Sequence, residues 1–277
     1  MENFREINGV LKKLREDSPL VHHITNYVTV NDCANVTLAI GASPVMADDI
    51  NEVYDMVSIA SSLVINIGTL NSRTVESMIV SCKRANELNI PIVLDPVGAG
   101  ATPYRTEIAK KLLNEVKFSV IRGNLSEIKT LFGINSKTKG VDSVEEVSDK
   151  TSDFEITKDI VKSFSKEIGS VIAVTGAVDV ISDGNKVYTI KNGNKAMSKI
   201  TGTGCMCTSL IGSYLGATKN NLIGAILGIL TMGIAGDIGF KNLKDLEGSG
   251  SLKVKIIDAI YNMSDETINE MGNLNEA

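Results

Sequence analysis

Short runs of strand-forming residues alternate with helix-like segments through most of this chain, and the alternation restricts the fold more tightly than any single motif. A strand, a crossover helix and a second strand make parallel neighbours, and parallel strands are buried on both faces by the helices that join them. Residues 62–67 and 90–95 read as two such strands, with the amphipathic segment 73–88 as the helix between them. Residues 116–121 and 171–175 read as further strands, and 178–182 with 186–190 as a hairpin around Asp183-Gly184. The expected class is therefore α/β, with a mostly parallel central sheet covered on both sides. With 277 residues and 43% hydrophobic content the chain has enough material for a sizeable core, read here as a single domain over 1–277.

Charge and cysteine usage narrow the partners. The formal net charge of −5 and the absence of Trp argue against a phosphate-neutralising, base-stacking surface, so a small molecule rather than nucleic acid is the expected ligand. Residues 1–16 mix Lys, Arg and Glu and lack the apolar core of a secretory signal, which suggests a cytoplasmic protein. The most apolar run, 222–235, is broken by Gly224, Gly228 and Gly233 and falls short of the ~20 residues that span a bilayer. It reads as a buried helix and not as a membrane anchor. Cys33, Cys82, Cys205 and Cys207, with the adjacent His22 and His23 as the sole histidines, lack zinc-binding spacing and read as reduced, mostly buried thiols. The polar stretch 136–153 reads as a long surface loop, and 262–277 is expected to fray.

Four polar motifs follow predicted strands or open a predicted helix. Thr201-Gly202-Thr203-Gly204-Cys205-Met206-Cys207 runs into the apolar segment 206–215, giving a bare backbone loop at a helix start. The unpartnered N–H groups and dipole of such a terminus stabilise an anion, although a tight turn for close helix packing explains the same glycines equally well. Asp95-Pro96-Val97-Gly98-Ala99-Gly100 puts a carboxylate at a strand end, for a cation or for a turn. Arg122-Gly123-Asn124-Leu125-Ser126-Glu127-Ile128 brings a phosphate-binding fork and an acid to one loop, and taken alone it reads first as helix capping. Val174-Thr175-Gly176 offers a hydroxyl at another strand end. Together they supply cation contact, charge compensation, phosphate contact and an anion hole, a combination that points to phosphoryl transfer without the Gly-Lys-Ser/Thr order of a P-loop.

The same residues resemble the ribokinase-like superfamily and, within it, the hydroxyethylthiazole kinase family of thiamine salvage. The resemblance spans nearly the whole chain. It is carried by His22-His23-Ile24-Thr25-Asn26, Gly41-Ala42-Ser43-Pro44-Val45-Met46-Ala47, Leu94-Asp95-Pro96-Val97-Gly98-Ala99, Ile121-Arg122-Gly123-Asn124, Lys139-Gly140-Val141-Asp142-Ser143 and Thr201-Gly202-Thr203-Gly204-Cys205. It implies a three-layer α/β/α sandwich and ATP-dependent phosphorylation of the hydroxyl of 4-methyl-5-(2-hydroxyethyl)thiazole. Mg2+ as cofactor and a homotrimer with sites near subunit interfaces are implied with it. Residue by residue, the resemblance puts Met46, Gly202 and the less central Asn26 at the thiazole, and Arg122 and Thr175 at ATP. Asp95 and Glu127 fall at Mg2+, Gly202, Gly204 and Cys205 at the reacting groups, and the histidine pair in a structural or pocket-shaping place.

Cys205 marks the narrower family, because many ribokinase-like relatives have Asp at the end of this glycine motif where hydroxyethylthiazole kinases have Cys. A helix N-terminus lowers a thiol pKa from its reference of ~8.5 and nearby phosphate raises it, so the sign stays open at this point. The resemblance leaves three alternatives: a related pyrimidine or pyridoxal kinase, an NAD(P)H-hydrate dehydratase of the same superfamily, and a non-catalytic nucleotide or thiazole sensor.

Overall fold

A computed structural model describes residues 6–134, 138–139, 142–143, 152–218 and 220–277. Helix α1 (Val10–Asp17) leads into β1 (Leu20–Ile24), α2 (Val30–Ile40), β2 (Ser43–Met46), α3 (Val53–Ser58) and β3 (Ser62–Asn66). The alternation continues through α4 (Ser72–Glu87), β4 (Ile92–Asp95), α5 (Pro103–Glu115), β5 (Val120–Gly123) and α6 (Leu125–Leu131). A two-residue antiparallel pair, β6 (Thr138–Lys139) and β7 (Asp142–Ser143), precedes α7 (Ser152–Ile168). Strands β8 (Val171–Val174), β9 (Asp179–Ser182) and β10 (Val187–Ile190) then lead to α8 (Thr203–Ala217), α9 (Asn221–Lys241), α10 (Ser249–Tyr261), α11 (Asp265–Met271) and β11 (Leu274–Glu276). Most of the polar stretch 136–153 lies outside the described residues.

The strands form one sheet in the order β11-β10-β9-β8-β5-β4-β3-β1-β2. From β2 to β8 every pairing is parallel, and β9, β10 and β11 add antiparallel at the other side. Side-chain alternation divides the apolar residues between two cores. Val64, Val93, Val120 and Ala173 join the core that holds α8 and α9, whereas Leu63, Ile65, Leu94, Ile121, Ile172 and Val174 join the core under α4 to α7. The expected helix–sheet–helix layering is what results.

Helix α9 extends the predicted run 222–235 at both ends, to 21 residues, because Asn220 caps it by accepting from the Ile223 amide at 3.2 Å. By length and composition it is the one described helix able to cross a membrane, and it lies buried in the α8 core. Strand β5 begins four residues later than 116, since the Val116 N–H still bonds the Leu112 carbonyl at the end of α5. The expectation that 262–277 frays is wrong. Ser264 caps α11 by accepting from Thr267 N at 3.1 Å, Ile268 and Leu274 are buried, and β11 pairs with β10 along the sheet edge.

Candidate active site

Six parallel strands end on one side of the sheet, and the ends of five of them carry most of the predicted chemistry. Asn26 lies two residues beyond β1, Asn66 closes β3, Asp95 closes β4, Arg122 sits in β5 and Thr175 follows β8. The N-terminus of α8 faces this row. Gly202 precedes it at φ 90°, where an added Cβ would also meet the Thr29 side chain at 2.6 Å, so the position favours glycine twice over. Gly204 rests against the Arg122 guanidinium, 2.7 Å from Nη1 to where a Cβ would stand. No side chain caps α8, and its first intrahelical bond runs from Met206 N to Gly202 O, so the amides of Thr203, Gly204 and Cys205 remain open toward an anion.

Hydrogen bonds join the strand ends into one network. Asn26 Nδ2 donates to Asn66 Oδ1 at 3.0 Å and to Cys205 Sγ at 3.3 Å. Asn66 Nδ2 donates to Asp95 Oδ2 at 3.0 Å and to Cys205 Sγ at 3.3 Å. Thr208 Oγ1 donates to Asp95 Oδ2 at 2.8 Å, and Arg122 Nη1 stands 3.6 Å from the same oxygen. The other end of the Arg122 fork donates to Thr175 Oγ1. A single guanidinium thus spans the Asp95 carboxylate and the Thr175 hydroxyl.

Glu127 completes the capping box of α6: its Oε2 accepts from Asn124 N at 2.8 Å while Asn124 Oδ1 accepts from Glu127 N at 2.9 Å. Its Oε1 accepts from Gly98 N at 2.7 Å, which clamps the turn that follows Asp95. The capping reading of this motif is therefore correct, and the same carboxylate ties two site loops together. Among the described residues no three His, Cys, Asp or Glu side chains cluster as a ready metal cage.

Burial sets the electrostatics. Desolvation pushes the Asp95 pKa upward against the pull of Arg122. Glu127 is pushed up to about 7, first by burial and then by the Asp95 charge. The Cys205 thiol is also raised, by burial first and Asp95 second, so the sign left open is upward and favours the neutral thiol. Three buried polar atoms at this edge lack a protein partner: Asp95 Oδ1, Arg122 Nε and Thr25 Oγ1. Unpaired groups of this kind are costly unless a ligand completes them.

The network therefore gathers Asn26, Asp95, Arg122, Glu127, Thr175, Gly202, Gly204 and Cys205. Met46 is not hydrogen-bonded into it. It ends β2, the outermost strand, half-buried and in register with His23. Both histidines are buried: His22 Nε2 donates to Ala47 O at 2.7 Å beside Met46, His23 Nδ1 donates to Val21 O at 3.1 Å, and burial lowers both pKa values, to about 4 for His23. Sequence reasoning missed Asn66, Thr208 and Asp179. Asp179 is buried and accepts from Gly176 N at 3.0 Å, holding the turn that carries Thr175. The one sequence signal for Asn66 was a polar residue interrupting an otherwise apolar strand.

A family model described as the hydroxyethylthiazole kinase family matches residues 11–266. The hydroxyethylthiazole kinase of Clostridium tetani is 57% identical over 277 residues, covering 100% of both chains, and that of Alkaliphilus oremlandii is 56% identical over 276 residues. The hydroxyethylthiazole kinase structure from Pyrococcus horikoshii superposes with a TM-score of 0.87 at 37% identity, covering 99% of each chain. Staphylococcus aureus pyridoxal kinase, at 16% identity and a TM-score of 0.57 over 82% of this chain and 89% of its own, shares the ribokinase-like fold. On this full-length agreement of sequence and structure, the chain belongs to the hydroxyethylthiazole kinase family.

Proposed function

We propose that this protein transfers the γ-phosphoryl group of ATP to the hydroxyl of 4-methyl-5-(2-hydroxyethyl)thiazole, as a cytoplasmic salvage kinase. The observation that carries the reading is the uncapped, glycine-opened start of α8 set against a hydrogen-bonded row of Asp95, Arg122 and Thr175. Phosphoryl-transfer transition states spread charge over the phosphoryl oxygens, so open amides and a buried guanidinium placed beforehand are effective catalysts. In this reading the amides from Gly202 to Cys205 hold the transferring group, and Arg122 and Thr175 bind the ATP phosphates. Gly202 and Met46 border the thiazole, with the Met46 thioether against the ring.

Mg2+ fits the donor set. Asp95 Oδ1 is a buried, partnerless hard oxygen, and Mg2+ bound with nucleotide keeps waters and phosphate oxygens, so one or two carboxylates suffice. Asp95 would hold it directly, and Glu127, with both oxygens already accepting amides, would reach it through water. When bound, the cation offsets phosphate charge. Cys205, a neutral thiol cradled by the Asn26 and Asn66 amides, marks the acceptor side and is at most a weak base. A homotrimer with shared sites belongs to the same proposal, supported by the position of Met46 on the sheet's outer strand.

The test is ADP release from ATP and Mg2+ with hydroxyethylthiazole, pyridoxal, a hydroxymethylpyrimidine or a sugar alcohol as acceptor. The expected result is preference for the thiazole, in kcat/KM, by at least about 100-fold, a discrimination that a fitted polar pocket can supply. Preference for pyridoxal or the pyrimidine would replace the proposal with a related small-alcohol kinase. Ligand-stabilised melting without ADP release would indicate a sensor.

A further inference from the structure

We infer that Asn66 and Thr208 are positioning residues that lock Asp95 through Oδ2 and leave Oδ1 as its open carboxylate oxygen. The inference rests on the phosphoryl-transfer reading of the site. It begins with the orientation of one amide. The Gly68 N–H can only donate, and it lies 2.8 Å from Asn66 Oδ1, which also accepts from Asn26 at 3.0 Å. Asn66 must therefore turn its Nδ2 toward Asp95 and Cys205, and no flipped amide satisfies all four contacts.

Asp95 is 1% exposed, Asn66 2% and Thr208 1%, so water cannot redistribute these bonds. A carboxylate with free torsion presents its two oxygens interchangeably. Here Oδ2 takes Asn66 Nδ2, Thr208 Oγ1 and the nearby Arg122 charge, while Oδ1 takes nothing from the protein. Three contacts on one oxygen fix the torsion and reserve the other oxygen's lone pairs for a cation held with the nucleotide. Thr208 lies four residues after Gly204 on α8, and the Gly204 carbonyl, 3.2 Å from its hydroxyl, is the more distant acceptor for the one proton that goes to Asp95 at 2.8 Å. Because the same Asn66 amide touches Cys205, one side chain sets the acceptor side and the cation side in register.

Thr208→Val tests this at nearly constant volume, with Thr208→Ser as the conservative control and Asn66→Asp as a second probe that sets one carboxylate against another. Mn2+ binding to the protein with ADP, followed by the paramagnetic signal of free Mn2+, is the readout, beside thermal melting and separate kcat and KM values. Removing an outer partner of a metal-binding carboxylate weakens affinity by about 10- to 100-fold. Thr208→Val and Asn66→Asp are expected to weaken Mn2+ by about that factor and to lower kcat; the thiazole KM is expected within about twofold of the parent for Thr208→Val, whereas Asn66→Asp, which also loses the bond to Cys205, raises it, and Thr208→Ser stays near the parent throughout. A cooperatively folded Thr208→Val that binds Mn2+ and turns over like the parent overturns the lock, whether or not Asn66→Asp folds. If the parent phosphorylates no acceptor, the kinase reading falls, and the Mn2+ titration still decides the lock.

Discussion

Cys205 closes the glycine motif at the start of α8, and burial and Asp95 both raise its pKa, which favours the neutral thiol. Its sulfur accepts two side-chain amides at 3.3 Å, which supports the acceptor-side place proposed for it. General-base catalysis contributes about 10²- to 10⁴-fold, which separates the two roles. Cys205→Ala, assayed at saturating substrates, is predicted to keep kcat within about tenfold of the parent, and Cys205→Asp to retain or raise it. Loss of turnover in a folded, substrate-binding Cys205→Ala would instead make the thiol essential. Arg122 has the opposite character, because one fork serves Asp95 and Thr175 together. Lysine cannot span both, so Arg122→Lys should raise the KM for ATP by about tenfold or more, with a smaller change in the thiazole KM. These residues were legible because charged or glycine-flanked groups at strand ends stand out from apolar runs. Asn66 and Thr208 were not, since an amide within an apolar strand and a hydroxyl within an apolar helix gain meaning once the fold sets them around Asp95.

At the scale of elements, the motif after β5 combines stability and function. Asn124 caps α6, and the reciprocal Glu127 carboxylate also holds the Gly98 turn. Asn124→Ala is predicted to lower unfolding stability by about 1 kcal/mol, measured by denaturant titration, and to raise the Mg2+ concentration needed for half-maximal activity. Unchanged stability would mean that the box contributes nothing in the folded chain. Strands β3 and β4 under α8 and the long helix α9 were readable from apolar runs bounded by glycine and polar residues, whereas β1 and β2 carry no such run and were not assigned. The C-terminal segment was misread because its signals are short: the Ser264 cap with Asp265 and Glu266 opens a seven-residue helix, and β11 forms by completing the open edge of β10. Edge pairing of that kind depends on a distant partner and leaves little trace in local sequence.

At the scale of the whole molecule, the sheet collects buried acids at one edge, and this ties stability to pH. Burial pushes Asp179 up to about 7 from an ordinary value near 3.8, with its bond to the Gly176 amide and the Arg122 charge opposing. The folded state therefore keeps a proton that the unfolded chain has lost, and stability falls as pH rises from about 4 through 7. Glu127, also near 7, acts in the same sense, whereas His23, lowered to about 4, makes stability rise between about 4 and 6.5. Comparing Asp179→Asn with the parent cancels the shared groups. The variant is predicted to gain on the order of 3 kcal/mol relative to the parent between pH 4 and pH 8, and a pH-independent difference would contradict the buried-acid account. The layered fold itself was legible from the alternation of strands and helices, while the assembly of five strand ends and one helix start into a single network required their tertiary placement. The most direct measurement of the central claim is phosphorus NMR of ATP, Mg2+ and hydroxyethylthiazole with the protein, following where the γ-phosphoryl group goes. The account predicts a thiazole phosphomonoester growing in equal amount with ADP. Formation of ADP with inorganic phosphate alone, or no turnover by folded, ligand-binding protein, would contradict it.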